Sequence, residues 1–157
     1  MNSNPYRPPE TAPQPEPAGT PTAMPIFVGV TVGMGLWYVV GSLSSLVFGW
    51  WLTLAGVPTA QLFQRFYTDA PFLACCHILT FLCMATGGFW ATGASGGRRS
   101  AALISGLALT MFVVLQFATP YTVPYPGWSR LLSLLLPLPA YLVGARLHRR
   151  RAAPLPD

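Results

Sequence analysis

The chain has 157 residues, of which 52% are hydrophobic and only 8% charged, where an ordinary soluble domain carries about 25% charged residues. So few charges cannot coat a globule of this length, which excludes a water-soluble domain and leaves a single unit covered by lipid. The net charge of +5 is carried by arginines alone, in short clusters between apolar runs, which is an orientation pattern and not the contiguous basic face that nucleic acid requires.

From Met1 to Ala23 the sequence includes Pro5, Pro8, Pro9, Pro13, Pro15, Pro17 and Pro21, each fixing φ and removing a backbone donor. Residues 1–24 are expected to form a disordered, Pro-rich cytoplasmic tail. Arg7 is the only basic group there, and the apolar run that follows far exceeds a signal-peptide core of about 7–15 residues, so a cleavable signal is not expected. The opening Asn4-Pro5-Tyr6-Arg7-Pro8-Pro9-Glu10 resembles the start of many uncharacterised small multi-spanning bacterial membrane proteins. That resemblance implies a bacterial inner-membrane setting and no particular activity.

Pro25 to Gly56 contains no charged residue. At about 1.5 Å per residue it would reach roughly 45 Å, longer than a ~30 Å hydrocarbon core, so it reads as a first span, tilted or overhanging. Phe48, Trp50 and Trp51 near its end suit an interface. In the segment after it Leu62, Phe63, Phe66 and Tyr67 recur at helical spacing among Gln61, Gln64, Arg65 and Asp69, predicting a short helix lying on the membrane surface. Asp69 is placed either to pair with Arg65 or to cap the helix that follows.

A second span is expected from Pro71 to Thr92 and a third from Ala101 to Ala118, separated by a turn containing Gly96, Gly97, Arg98 and Arg99. A link with Pro120, Pro124 and Pro126, and with Tyr121 and Tyr125, leads to a fourth span from Trp128 to Leu147. Pro137 and Pro139 should kink it. The fold class is therefore all-α: four transmembrane helices over 25–147, an interfacial helix between the first two, and a basic cytoplasmic tail over 148–157. Four spans put both termini on one side together with Arg98, Arg99, Arg146, Arg149, Arg150 and Arg151, leaving Arg65 and Arg130 opposite. By the positive-inside tendency the arginine-rich side is cytoplasmic.

Candidates for chemistry are few. Cys75, Cys76 and Cys83 lie in the second span, where Cys76 and Cys83 are separated by about 10 Å along a helix and cannot share a zinc whose ligands sit within about 2.3 Å of it. They read as packing residues, and no metal or cofactor is expected. His77 is the one histidine inside a span; it reads as a packed histidine bonded to water or a carbonyl, and otherwise as the one conceivable ligand of a metal or haem, with Met34 or Met111 as its only partners from other spans. No phosphate loop, zinc-protease helix or serine elbow is present.

Small residues form a clearer pattern. Gly29, Gly33, Gly41, Ser45 and Gly49 recur at multiples of four in the first span, and Gly88 and Gly106 stand in the second and third. Such stripes let helices approach closely, predicting a compact bundle or a homo-oligomer. The expected function is that of an accessory or scaffold protein acting through helix contacts with the bilayer, other copies or other membrane proteins, and not with nucleic acid. The alternatives are a small transporter or channel, and a membrane enzyme or haem protein using His77.

Overall fold

In hydrocarbon every backbone N–H and C=O must be bonded within the chain, so uninterrupted apolar runs become helices. The computed structural model describes residues 23–118 and 125–152 and contains no strand among them. The helices are α1 (Ala23–Leu54), α2 (Thr59–Thr68), α3 (Ala70–Ala94), α4 (Arg99–Ala118), α5 (Gly127–Leu135) and α6 (Pro137–Ala152). Four stretches are long and apolar enough to cross a membrane: α1, α3, α4, and α5 with α6 taken as one. The protein is thus an all-α bundle of four candidate spans, with α2 as the short helix between the first two. The expected N-terminal tail up to residue 22, the link over 119–124 and residues 153–157 lie outside the described residues.

The helix ends follow local chemistry. The Phe72 backbone N–H donates to Asp69 Oδ1 at 2.9 Å, an N-cap for α3 just ahead of Pro71. With its carboxylate engaged in that cap, Asp69 makes no ion pair with Arg65 among the described residues. Gly96 (φ 68°) and Gly97 (φ 89°) form the turn into α4, a conformation that costs other residues a steric penalty. Leu136 alone separates α5 from α6. The cause is that Pro137 and Pro139 bring no N–H to the carbonyls of Ser133 and Leu135. Beyond Leu147 the helix runs on through His148 to Ala152, further than expected, with Arg149, Arg150 and Arg151 in its last turn, where cations are favoured.

The bundle is tightest at its arginine-rich end, because helices there meet through glycine. A Cβ added to Gly144 would strike the Ala85 carbonyl oxygen and lie 2.7 Å from the Phe89 nitrogen; one added to Gly88 would strike the Tyr141 carbonyl. Helices α3 and α6 therefore cross backbone to backbone. At this crossing Tyr141 is fully enclosed, and its hydroxyl donates to the Gly29 carbonyl of α1 at 2.9 Å. Gly33 and Gly87 face the same hydroxyl, and Gly106 faces the Tyr141 Cβ. Met84, Leu109 and Ala140 pack on Tyr141, with Val30, Met34 and Phe81 at the margin. On α4, Ser105 is buried; its hydroxyl donates to the Ala101 carbonyl of its own helix at 2.8 Å and lies 3.3 Å from the Ile26 carbonyl. A Cβ on Gly29 would come within 2.9 Å of its oxygen, so α1 and α4 are in close contact at this end.

Candidate functional site

Past Gly33 a space opens inside the bundle, although α1 and α3 still meet beyond it where the Phe48 ring stacks on Phe72 at 4.0 Å. Gly41, further along α1, has no atom within 4 Å of the position of an added Cβ. The space it faces is a cavity of about 590 Å³, reached by residues of α1, α2, α3, α4 and α5 together with Tyr125 and Pro137. It occupies the half of the bundle that carries the end of α1 and the start of α3, away from the arginine clusters.

Its polar groups come from several helices. His77, on α3, approaches the Ser129 hydroxyl of α5 with Nε2 at 2.9 Å from Oγ, and the Trp128 ring stands edge-on to it at 5.7 Å. Ser129 is 2% exposed, so this hydrogen bond is the polar link between α3 and α5. Ser44, Thr80 and Ser133 each donate to a carbonyl of their own helix, Val40, Cys76 and Ser129 respectively. Their hydrogens are thereby committed, and their oxygens remain acceptors. At the rim, Tyr67 of α2 and Tyr125 meet ring to ring at 5.1 Å, nearly perpendicular. Burial first, then the neighbouring Tyr67 and Cys76, pushes the Tyr125 phenol above its ordinary value, so it stays a protonated donor. The apolar wall includes Phe66, Phe72, Phe112 and Phe117, and no Arg, Asp or Glu is among the lining residues.

The small-residue stripe divides between two roles. Gly29 and Gly33 are buried against α3, α4 and α6, Gly41 and Ser45 line the cavity, and Gly49 belongs with the packing positions, since a Cβ added to it would meet the Phe66 ring of α2 at 3.0 Å. Gly88 and Gly106 both face Tyr141. Cys75 is exposed, Cys76 half-buried and Cys83 buried, all as free thiols. Among the described residues no three His, Cys, Asp or Glu side chains gather as a metal site would need. Met34 lines the cavity with His77, whereas Met111 is 61% exposed on the outer face of α4. Arg98, Arg99, Arg146, Arg149, Arg150 and Arg151 lie at one end of the bundle, and Arg65 and Arg130 at the other.

Sequence reasoning passed over Tyr141, Gly144 and Ser129. The first two had a signal: Ala140 and Gly144 form a small-xxx-small pair, and a tyrosine inside a span needs a partner for its hydroxyl. Ser129 had none, because only the fold brings it to His77. No protein-family model, no curated protein and no solved structure matches the chain.

Proposed function

We propose that this is a multi-pass accessory protein of the bacterial inner membrane, both termini cytoplasmic, whose working part is the cavity around His77 and Ser129. It binds a small molecule dissolved in the bilayer. One observation carries the reading: a space of about 590 Å³ within a bundle that elsewhere closes backbone to backbone. Ligand pockets span roughly 300–1,000 Å³ and combine apolar walls with a few convergent polar groups, as this one does.

Gly41→Trp tests it. The substitution fills the cavity from a position that meets nothing within 4 Å, so thermal stability in detergent should hold within about 1 kcal/mol. Mass spectrometry of extracts from the purified protein should show a small molecule in the parent and not in the variant. Identical extracts would remove the cavity from the functional account.

The orientation is supported by the arginine asymmetry and the bacterial setting by the Asn4–Glu10 opening. Compartment-specific reporters fused after Asp157 and inserted in the exposed turn at Gly56 should report opposite sides, with Asp157 inside. Reports from the same side would overturn the four-span topology.

A further inference from the structure

We infer that the cavity takes an uncharged lipid with a hydroxyl-bearing head, entering sideways from the bilayer between α1 and α4; this rests on the reading of the cavity as a binding site. Charge excludes the ionic lipids. With no Arg, Asp or Glu among the lining residues, an anionic or zwitterionic head drawn inside would lose its hydration and meet no counter-charge on the cavity wall.

The polar inventory then selects among neutral heads. Among the lining residues, which also include Ser42, Ser45 and Gln116, Ser44, Thr80 and Ser133 offer oxygens whose hydrogens are already given to Val40, Cys76 and Ser129, so a head group that meets these three must donate. The Tyr125 and Tyr67 phenols at the rim can donate in turn. A head with hydroxyls and a carbonyl satisfies both sets; a pure hydrocarbon satisfies neither.

The route follows from residues that line the cavity and also reach the outer surface. Tyr38 and Trp37 of α1 are 71% and 39% exposed, and Phe112 of α4 is 41% exposed, yet all three border the cavity. They mark its mouth. Tyr38 stands midway along α1 (Ala23–Leu54), a depth at which its hydroxyl faces hydrocarbon and has no water to bond. A hydroxylated lipid passing the seam supplies that partner. Toward the arginine-rich end α1 and α4 close on each other, where a Cβ on Gly29 would lie 2.9 Å from Ser105 Oγ, so the opening is confined to the cavity end.

The test titrates full-length protein in mild detergent with three probes sharing one oleoyl chain: monoolein, methyl oleate and oleate, counting retained lipid by native mass spectrometry. Monoolein should bind about tenfold more tightly than methyl oleate, the equivalent of roughly 1.4 kcal/mol, and oleate most weakly. Thr80→Val, which closely keeps the side-chain shape, and Ser133→Ala should each reduce the monoolein preference severalfold and leave methyl oleate unchanged. Equal binding of monoolein and methyl oleate, tighter binding of oleate, or an undiminished preference in both variants overturns the inference. If Gly41→Trp still abolishes retention in that case, the cavity reading stands. If the parent protein retains none of the three probes, both fail.

Discussion

Gly144→Ala should destabilise the protein by about 3 kcal/mol, the upper end of what overpacking costs, or prevent its folding. The new methyl group has nowhere to go. It would strike the Ala85 carbonyl oxygen and approach the Phe89 nitrogen, and both are backbone atoms of a helix that cannot yield as a side-chain tip yields. Helix α6 must move off α3, and close van der Waals packing is then lost across the crossing, which the hydrophobic effect does not restore within lipid. Alanine's better helix propensity returns only about 1 kcal/mol. Gly88→Ala should behave alike, because its methyl would meet the backbone of Tyr141. Gly35→Ala is the control: nothing lies within 4 Å of it, so its melting transition in detergent should match the parent or exceed it slightly. If Gly144→Ala melts with Gly35→Ala, the two helices do not pack as closely as described.

The contrast between these glycines shows what a sequence can and cannot carry. The four spans and the amphipathic α2 were legible because each rests on local pattern: Pro25–Gly56 has no charge, and Leu62, Phe63, Phe66 and Tyr67 share one face. The Asp69 cap was legible as one of two alternatives, and the structure decides for the cap through Phe72. The role of each glycine was not legible. Gly33 and Gly41 occur in the same stripe of α1, yet Gly33 meets Tyr141 and Gly41 meets empty space. The difference arises from where Tyr141 of α6 reaches α1, at Gly33 and not at Gly41, while α1 and α3 stay in contact as far as the Phe48–Phe72 stack; that is a property of the assembled bundle. The same holds for His77. As a lone histidine in a span it reads as a packed side chain needing a hydrogen-bond partner, with metal or haem ligation as the alternative, and only tertiary structure supplies Ser129 as that partner.

The second large effect concerns Tyr141, the side chain around which all four spans close. Tyr141→Ala should cost about 3–5 kcal/mol, the range for truncating a fully buried aromatic ring, because Gly33, Gly87 and Gly106 have no side chains with which to refill the space. That variant alone does not separate ring from hydroxyl. Tyr141→Phe does: it removes the bond to the Gly29 carbonyl and should cost about 1 kcal/mol. Gly33→Ala should be costly in the parent, since its methyl would collide with the Tyr141 hydroxyl and lie 3.3 Å from the ring carbon that bears it. In the Tyr141→Phe background the colliding oxygen is gone, and Gly33→Ala should become cheaper by about 1 kcal/mol or more, a coupling within the range seen for residues in direct contact. The four proteins would be compared by thermal or denaturant unfolding in one detergent. Additive losses would show that the hydroxyl does not occupy the gap between α1 and α6, and that the bundle is held there by the ring alone.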